Sequence, residues 1–483
     1  GNGGGVLVRG GSLLHVTSAS VVSQNRAMKG VGGAVYLGAQ CEFLMEDAAE
    51  ISENAATRGG GVFALASFRL VARDSFFGGN VADSTGGAIV ALEFDLGSEL
   101  TIDRCALWNN TADAALGLSR DGATGSGGAL FLANLRTKDP FPTVTGSTFR
   151  LNRAPRGGAI SLQTGVSLVV SNTLFERNEA QHAGAVSAVN SQEVRLQEDC
   201  RWVNNTARAR AGAILADNCL LIEVDRNHFL KNKADLHGGA LLVMHTKTAS
   251  IRDSTFRMNE APHGAGGGFY TQGMDKVGVT MVEEGIIFKD NVALYGESKA
   301  SSPTQLRIMM ARNRSFNNTA FLFPAPKARL LDVYGQAVKS LNTIIVTMSS
   351  MSVNGPVFGD LEARIETRTG YAEFTEVGVA GDPGDHELLF ASQGVGDRLT
   401  AKINVSISPC LPGEELEQLP AGFRCIKCMP GNANSANNHQ HGTSSCSACE
   451  VGTFAESAGM SMCAECPAGW STSKRKRAVA CVE

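Results

Sequence analysis

The chain lacks long apolar runs and a surplus of charge of either sign. No stretch approaches the roughly 20 apolar residues that a membrane-spanning helix needs, so we expect no transmembrane segment in this piece. The net charge is −4, and 19% of the residues are charged. A chain without polyelectrolyte character is not expected to bind nucleic acid or a membrane surface.

A starting methionine and a signal peptide are also absent. The first residues include Gly3-Gly4-Gly5 and the strand-like segment Val6-Leu7-Val8. We therefore expect an internal or processed piece of a longer protein. The first unit of a stacked array exposes unpaired strand edges. We expect further chain or a neighbouring subunit to cover that end.

The main feature that the sequence does contain is an internal repeat. Between Asn25 and Ala320, an asparagine followed two residues later by an alanine occurs eleven times. An apolar residue, most often phenylalanine, stands three residues before the asparagine in ten copies, and Phe316 stands two residues before it in the last. The repeated asparagines are Asn25, Asn54, Asn80, Asn110, Asn152, Asn178, Asn205, Asn232, Asn259, Asn291 and Asn318.

Most copies are followed by a pair of small residues and then a small and a branched one, as in Gly86-Gly87-Ala88-Ile89 and Gly238-Gly239-Ala240-Leu241. The four intervals from Asn152 to Asn259 are 26, 27, 27 and 27 residues. This period is too short for a propeller blade, and the composition is too rich in glycine and valine for helical repeats. One coil of a parallel β-helix fits it.

Stacked coils place each repeated residue in a column along the axis. Neighbouring strands lie roughly 4.8 Å apart, so eleven coils make a rod of roughly 50 Å. Asparagine amides in such a column bond to their copies above and below, and aromatic rings stack. We therefore predict that the repeated asparagines form a structural ladder and have no catalytic role.

The paired motifs Phe-x-x-Asn and Gly-Gly-Ala-(Ile/Leu/Val) resemble the repeats of chlamydial polymorphic outer-membrane proteins. The resemblance covers about residues 1 to 320. It implies a right-handed β-helix passenger used in surface adhesion. The chain departs from that family after the repeats, because its C-terminal part does not resemble a barrel-forming translocator segment.

The period stops after Ala320. Short apolar segments at 8 to 12 residue spacing then predict an Ig-like β-sandwich. The order of strands and turns is similar to filamin or bacterial Ig-like modules, which implies a spacer or interaction surface without catalytic residues. The all-β prediction thus has three domains: a right-handed parallel β-helix of about eleven coils at 1–325, the sandwich at 326–409, and small disulfide-rich modules at 410–483.

The tail holds eight of the twelve cysteines, including three Cys-x-x-Cys pairs. A small segment with almost no apolar core needs either zinc or disulfides. The runs Gly452-Thr453-Phe454 and Pro467-Ala468-Gly469-Trp470 after cysteines resemble the ephrin-receptor-like cysteine-rich repeat, which implies an extracellular disulfide module. We predict four disulfides, whose connectivity stays open, among Cys410, Cys425, Cys428, Cys446, Cys449, Cys463, Cys466 and Cys481.

The rod contributes the other four cysteines. Cys105 and Cys200 share a repeat position but lie three coils apart, beyond disulfide reach. We expect free buried thiols, and a bridge between Cys200 and Cys219 stays open as the alternative.

Five Asn-x-Ser/Thr sites agree with secretion. Three of them stand directly before a repeated asparagine, so we expect one solvent-facing corner of the coils to carry a column of N-linked glycans. The sites are Asn109, Asn204, Asn313, Asn317 and Asn404.

Many β-helices are polysaccharide lyases or hydrolases, whose chemistry needs specific groups. Glycoside hydrolysis uses two carboxylates that face each other across a groove, and lyases use a basic residue beside acid-ligated calcium. The coils contain no Asp-Asp, Asp-x-Asp or Gly-His-Gly sequence. The acids Asp74, Asp103, Asp225 and Asp253 recur near one repeat position, as turn residues do. We predict no enzyme activity, no cofactor and no metal.

Basic residues recur just before the small pair. In register, they form a line at roughly 4.8 Å intervals, which suits a sulfated or uronic-acid polysaccharide. The alternative is a solvated corner neutralised by Glu179 and Asp235. The candidate column is Arg156, His182, Arg210 and His237.

Two loops are candidate partner sites. The coil between Asn110 and Asn152 carries about 15 extra residues, including Asp139-Pro140-Phe141-Pro142, and insertions in solenoids emerge as loops. The second is the loop Thr271-Gln272-Gly273-Met274-Asp275-Lys276. The basic run Lys474-Arg475-Lys476-Arg477 is expected to be a solvated loop.

Taken together, the sequence predicts a non-enzymatic extracellular structural protein, a rod-like component of a cell-surface or matrix assembly, with filaments as one form of that assembly. The main alternative is an adhesin or glycan-binding surface protein. The third is a polysaccharide lyase or hydrolase. The expected partners are other extracellular or cell-surface proteins, copies of the chain itself, anionic polysaccharide and N-linked glycans.

Overall fold

The computed structural model describes residues 1–95, 97–113, 125–135, 141–274, 276, 278–310, 314–317, 320–339, 344–351, 357–381, 383–394, 398–419, 422–435 and 445–483. All regular structure in these ranges is β-strand, and no helical segment in them has the length and apolar character needed to cross a bilayer. The chain divides into two units, Gly1–Ser302 and Pro303–Glu483. The predicted all-β architecture is confirmed.

The first unit is a parallel β-helix in which each coil contributes one strand to each of four parallel sheets. Sheet 1 comprises Val6–Val8, Val35–Leu37, Val62–Leu65, Ile89–Phe94, Leu130–Leu135, Ile160–Gln163, Val186–Val189, Ile214–Asp217, Leu241–Met244, Phe269–Gln272 and Lys299–Ser301. Sheet 2 comprises Leu13–Val16, Glu42–Met45, Arg69–Arg73, Glu99–Asp103, Thr143–Thr145, Leu168–Ser171, Glu193–Gln197, Leu221–Asp225, Thr248–Arg252 and Thr280–Glu284. Sheet 3 comprises Val21–Ser23, Glu50–Ser52, Phe76–Gly78, Ala106–Trp108, Thr148–Arg150, Leu174–Glu176, Arg201–Val203, His228–Leu230, Thr255–Arg257 and Ile287–Lys289. Sheet 4 comprises Arg26–Val31, Ala55–Arg58, Val81–Thr85, Thr111–Ala112, Arg153–Arg156, Glu179–His182, Thr206–Arg210, Lys233–Ala234, Glu260–Ala265 and Val292–Tyr295.

The stack has ten complete coils and one strand of an eleventh, Lys299–Ser301. The eleventh copy of the motif does not continue the rod. Its strand Ser315–Asn317 pairs instead with Ser406–Ser408 in the second unit. The boundary therefore falls between Ser302 and Pro303, before the expected position at 325/326, because strand pairing leaves the stack while the motif persists. The repeated asparagine of this copy, Asn318, lies outside the described residues.

The repeated asparagines from Asn25 to Asn291 line the corner between sheets 3 and 4 and form the asparagine ladder. Asn178 shows the pattern: its backbone N–H and its Nδ2 both donate to Oδ1 of Asn205, each at 3.0 Å. Its Nδ2 also donates to the carbonyl of Phe149 in the coil before, at 2.9 Å. From Asn54 to Asn291 these amides are almost completely buried, and a buried amide is tolerated only when it is hydrogen-bonded.

Aromatic side chains stack beside the ladder, inside sheet 3. The rings of Phe175 and Trp202 lie 4.2 Å apart and almost parallel, and those of Phe229 and Phe256 lie 4.5 Å apart. Phe149 continues the stack below Phe175, at 5.0 Å. Each such pair contributes about 0.5–1.5 kcal/mol beyond its burial. The interior is therefore ordered in columns that keep the coils in one register.

Small residues make the corner between sheets 4 and 1. Gly238 has φ +67, and a Cβ there would lie 2.5 Å from the carbonyl oxygen of Leu241. Ala183 and Ala211 take the same corner with φ 60 and 63. The left-handed corner explains why glycine dominates this position and why the small pair comes after each asparagine.

The second unit begins with three small sheets. Their strands are Pro303–Met309, Lys327–Asp332 and Ala372–Glu373; then Ser315–Asn317, Thr400–Ser408, Gly384–Gln393, Ile345–Ser350 and Glu362–Arg364; then Ala320–Phe321, Val377–Val379 and Val357–Gly359. Most pairs are antiparallel, and the buried rings of Phe374 and Phe390 meet edge-on at 5.5 Å. The Ig-like identity of this region stays a prediction.

The tail consists of three short hairpins and four disulfides. The hairpins are Glu414–Leu419 with Gly422–Lys427, Asn432–Ala433 with Ser447–Ala448, and Thr453–Phe454 with Ala464–Glu465. Each cysteine pairs with the next one along the chain: Cys410–Cys425, Cys428–Cys446, Cys449–Cys463 and Cys466–Cys481. The disulfide prediction is confirmed, and the zinc alternative is wrong because all eight tail cysteines are in S–S bonds.

The rod cysteines Cys41, Cys105, Cys200 and Cys219 are free and buried. No Cys200–Cys219 bridge forms. Burial raises the pKa of the thiols of Cys105, Cys200 and Cys219 to about 11. Such thiols are both inaccessible and protonated at neutral pH, so they are inert in the folded rod.

The asparagine ladder predicts a large effect of one substitution. In Asn178→Ala, the N–H and Nδ2 of Asn152 and the carbonyl of Phe149 lose their partner. We expect a loss of roughly 3 kcal/mol or more, because each buried unsatisfied group costs about 1–3 kcal/mol. Thermal unfolding of Asn178→Ala and of Gln181→Ala, an exposed residue of the same coil, measures this. Equal unfolding temperatures for the two variants would contradict a structural role of the ladder.

The cysteine pattern predicts a labelling count. A thiol reagent at pH 8 should modify no cysteine in the folded chain, four after denaturation without reductant, and all twelve after reduction. Mass spectrometry of the labelled chain counts the modified residues. Labelling of the folded rod, or fewer than eight protected cysteines after denaturation, would show that the thiol and disulfide assignment is incorrect.

Candidate functional site

The candidate column lies at the end of sheet 4, directly before the corner that leads to sheet 1. Arg156 pairs in register with His182, and His182 pairs with Arg210. The line continues to His237, whose carbonyl accepts from the N–H of Ala211 at 2.9 Å. Arg156 is exposed, whereas His182 and Arg210 are partly buried. The predicted alignment of the four residues on successive coils is therefore present in the geometry.

His237 differs from the others because it is neutral at physiological pH. Its Nδ1 accepts a hydrogen bond from the N–H of Ala265 at 3.1 Å, and its ring stacks on that of Tyr270 at 4.6 Å. Burial, with a smaller effect from the Arg210 cation, lowers the pKa of His237 to about 4. The expected line of four basic groups thus contains no cation at this end.

His182 lies between two guanidinium groups. Burial first, and then the charges of Arg156 and Arg210, lower the pKa of His182 below its usual value. Both arginines are register partners of His182, on the coils on either side of it. At neutral pH the column therefore carries two permanent charges, with a mostly neutral imidazole between them that can donate or accept a hydrogen bond.

The carboxylates expected to neutralise the column are engaged elsewhere. Glu179 Oε1 accepts from Arg208 at 2.6 Å and 3.0 Å. Asp235 pairs with Nδ1 of His263 at 2.7 Å. In the ranges that the structure describes, neither Arg156 nor Arg210 has an ion pair. The alternative of a corner neutralised by Glu179 and Asp235 does not match these contacts.

The acids considered for enzyme chemistry lie where sheet 2 ends and the turn to sheet 3 begins. Asp74 and Asp253 are exposed turn residues, whereas Asp103 and Asp225 are partly buried strand ends. Asp74 and Asp253 both have φ 45, a left-handed turn conformation. Asp74 accepts two hydrogen bonds from Arg104, each at 2.7 Å, which lower the pKa of its carboxyl. Asp103 pairs with the same arginine, and Asp225 pairs with Arg226. Over the described residues, no group of three or more His, Cys, Asp or Glu side chains is placed to hold a metal ion.

The predicted glycosylation sites do not form one column. Asn109 and Asn204 share the corner before the ladder, in left-handed turns with φ 54 and 53. Asn317 and Asn404 are exposed residues of the second unit, in the strands Ser315–Asn317 and Thr400–Ser408. Asn313 lies outside the described residues. The expected shared face is therefore limited to two sites, and the occupancy of each stays a prediction.

The candidate loops fall partly outside the described residues. In the long coil, residues 114–124 and 136–140 lie outside the described residues. The chain rejoins the stack at Ser126, which pairs in register with Thr85 and Arg156. In the second loop Asp275 is not described, and Thr271 is buried. Their role as partner sites stays a prediction.

Comparison with known proteins places a family match in the tail. Residues 438–478 match the family described as tyrosine-protein kinase ephrin type A/B receptor-like. This agrees with the ephrin-receptor-like prediction but covers well under half of the chain. No curated protein and no solved structure matches the chain significantly. The resemblance of the rod to chlamydial polymorphic outer-membrane proteins stays a prediction.

The neutral state of His237 predicts a pH dependence of stability. Its folded pKa of about 4 lies below the usual 6.5, so between these values the unfolded chain binds a proton that the folded chain does not. This histidine therefore destabilises the rod as pH falls from 6.5 to 4. In His237→Asn, whose Oδ1 can replace Nδ1 as acceptor, we expect a smaller drop in unfolding temperature across this window.

The matched control is Tyr270→Phe, which keeps the ring stacked on the imidazole of His237. That variant should keep the shape of the parent profile. Parallel profiles for the parent and His237→Asn would contradict the assignment of a neutral His237.

Proposed function

We propose that this chain is a non-enzymatic extracellular structural protein, a rod-like component of a cell-surface or matrix assembly. The observation that carries the proposal is the unbroken asparagine ladder from Asn25 to Asn291. In the ladder and in the aromatic stack, the recurrent side chains of each coil make contacts with the neighbouring coils. Ten coils at roughly 4.8 Å make a rod of about 50 Å. Side chains used in this way give the rod its rigidity and its length.

Placement outside the cell is supported by the tail. Four disulfides persist only in an oxidising environment, which is typical of secreted and cell-surface proteins. The tail also contains the segment similar to the ephrin type A/B receptor-like family. Modules of this kind commonly contact other proteins, so we propose extracellular proteins, including copies of this chain, as partners.

The absence of a catalytic activity is part of the proposal. The acids Asp74, Asp103 and Asp225 are paired with arginines at the end of a sheet 2 strand or in the turn after it. A glycosidase needs two carboxylates that face each other across a groove, one of them with a raised pKa. The pKa of the Asp74 carboxyl is shifted in the opposite direction, because it is lowered.

Adhesion to an anionic polysaccharide is the second candidate function. It is favoured by Arg156 and Arg210, two aligned cations without an ion pair in the described ranges. A cation that is not neutralised by the protein is available to an anionic ligand. This function is compatible with a structural role, because a matrix component often binds matrix polymers.

Electron microscopy of the natively isolated protein tests the structural proposal. We expect ordered assemblies with a regular axial repeat comparable to the length of one chain. Dispersed single rods would contradict the proposal and favour an adhesin. Calcium-dependent release of unsaturated sugars from a polysaccharide would contradict both candidate functions and establish an enzyme.

A further inference from the structure

The side chains of the candidate column lean over the outer face of sheet 1. Arg58 of the second coil lies on the same line, because it pairs with Thr85, which is joined to Arg156 through Ser126. The Arg58 guanidinium lies 5.2 Å from the ring centroid of Phe63. Further along the rod, His237 stacks on Tyr270, one coil ahead. Phe63 and Tyr270 are both the second residue of their sheet 1 strand. Outward residues at this strand position therefore lie beneath the column, either in the same coil or in the next.

Ser187 occupies this strand position at the centre of the column. It is the second residue of Val186–Val189 and pairs in register with Ser161 and Leu215. By analogy with Arg58 over Phe63 and His237 over Tyr270, Ser187 lies beneath His182 of its own coil and beneath Arg156 of the coil before. Its Cβ lies 3.2 Å from the position that a Cβ on Gly157 would take, directly beside the column.

The hydroxyl of Ser187 has no hydrogen-bond partner in the described part of the chain, although the residue is only 1% exposed. A buried hydroxyl without a partner is unfavourable by about 1–3 kcal/mol. Such groups are rare in folded proteins, and a bound ligand is one way to satisfy them. The hydroxyl thus adds a polar group to the floor beneath two cations.

The charge around Ser187 also lacks a counterpart. Arg156 and Arg210 lie two coils apart, roughly 10 Å along the axis, and have no ion pair among the residues described. The acids expected to neutralise the column, Glu179 and Asp235, are held by Arg208 and His263. An anion placed over His182 would therefore be attracted from both sides.

We infer that this position binds the sulfate ester of an extracellular polysaccharide, an inference that rests on the adhesive function proposed above. The donors come from three successive coils along the axis and from sheet 1 beneath them, so they do not lie in one plane. A sulfate ester presents three terminal oxygens in different directions, whereas a carboxylate presents two in one plane. We call the set Arg156, His182, Arg210 and Ser187 the sulfate site.

Isothermal titration of the whole chain tests the sulfate site. The probes are a sulfated dextran oligosaccharide and an oligogalacturonate of the same length and charge. We expect the Arg156→Gln/Arg210→Gln variant to bind the sulfated probe at least about tenfold more weakly, because hydrogen bonds to charged groups are lost. We also expect Ser187→Ala to weaken binding of the sulfated probe without lowering the unfolding temperature.

The control is Arg153→Gln, which removes one cation on the outer face of the same strand as Arg156, where Arg153 lines a separate cavity with Glu179 and Arg208. It should change the affinity less than about threefold, as expected for a rim charge. Losses equal to those of the arginine pair would mean unspecific attraction, and would overturn the site. Preference for the uronate probe, or binding of neither probe, would overturn it as well. Binding of neither probe would leave the structural proposal intact, because electron microscopy tests that proposal independently.

Discussion

The rod depends on one interaction, the hydrogen bonds of a buried asparagine with its copies in the neighbouring coils. An amide in the interior is favourable only when its donors and acceptor are all used. Asn178 meets this condition with Asn152, Asn205 and Phe149. A shift of one coil by a single residue would move the amide off its partners and leave several buried groups unsatisfied. The ladder therefore sets the register in which the rest of each coil is stacked.

The external features depend on that register. Once the corner asparagines align, the strand ends Arg156, His182 and Arg210 align in sheet 4, and the second residue of every sheet 1 strand aligns as well. The column of Arg156, His182 and Arg210 and the buried hydroxyl of Ser187 come together for this reason. A structural scaffold and a candidate binding site are thus two results of one repeat, although the first needs every coil and the second only three.

Much of the rod could be predicted from sequence because its repeat carries local information. The Asn-x-Ala motif and the small pair mark two corners of each coil, and strand positions can be inferred from them. The end of the array could not be predicted this way. The eleventh motif survives around Phe316, yet its strand pairs with Ile407, some ninety residues further along. A long-range pairing of this kind leaves no trace in the motif.

The candidate site was predictable in position and not in its charge state. The spacing of Arg156, His182 and Arg210 predicts their alignment. The neutral state of His237 depends on Ala265 and Tyr270, which reach it only after the coils stack. The disulfide pairing was equally out of reach, since eight cysteines admit 105 connectivities and spacing alone does not choose among them.

Hydrogen exchange of the backbone amides in the first unit tests the central role of the ladder most directly. The N–H groups of Asn80, Asn152 and Asn232 donate to buried side-chain oxygens. The account predicts that they exchange among the slowest in the chain, at a rate set by unfolding of the stack. Exchange as fast as that of unprotected amides, in a rod that is otherwise protected, would show that the ladder does not hold the coils together.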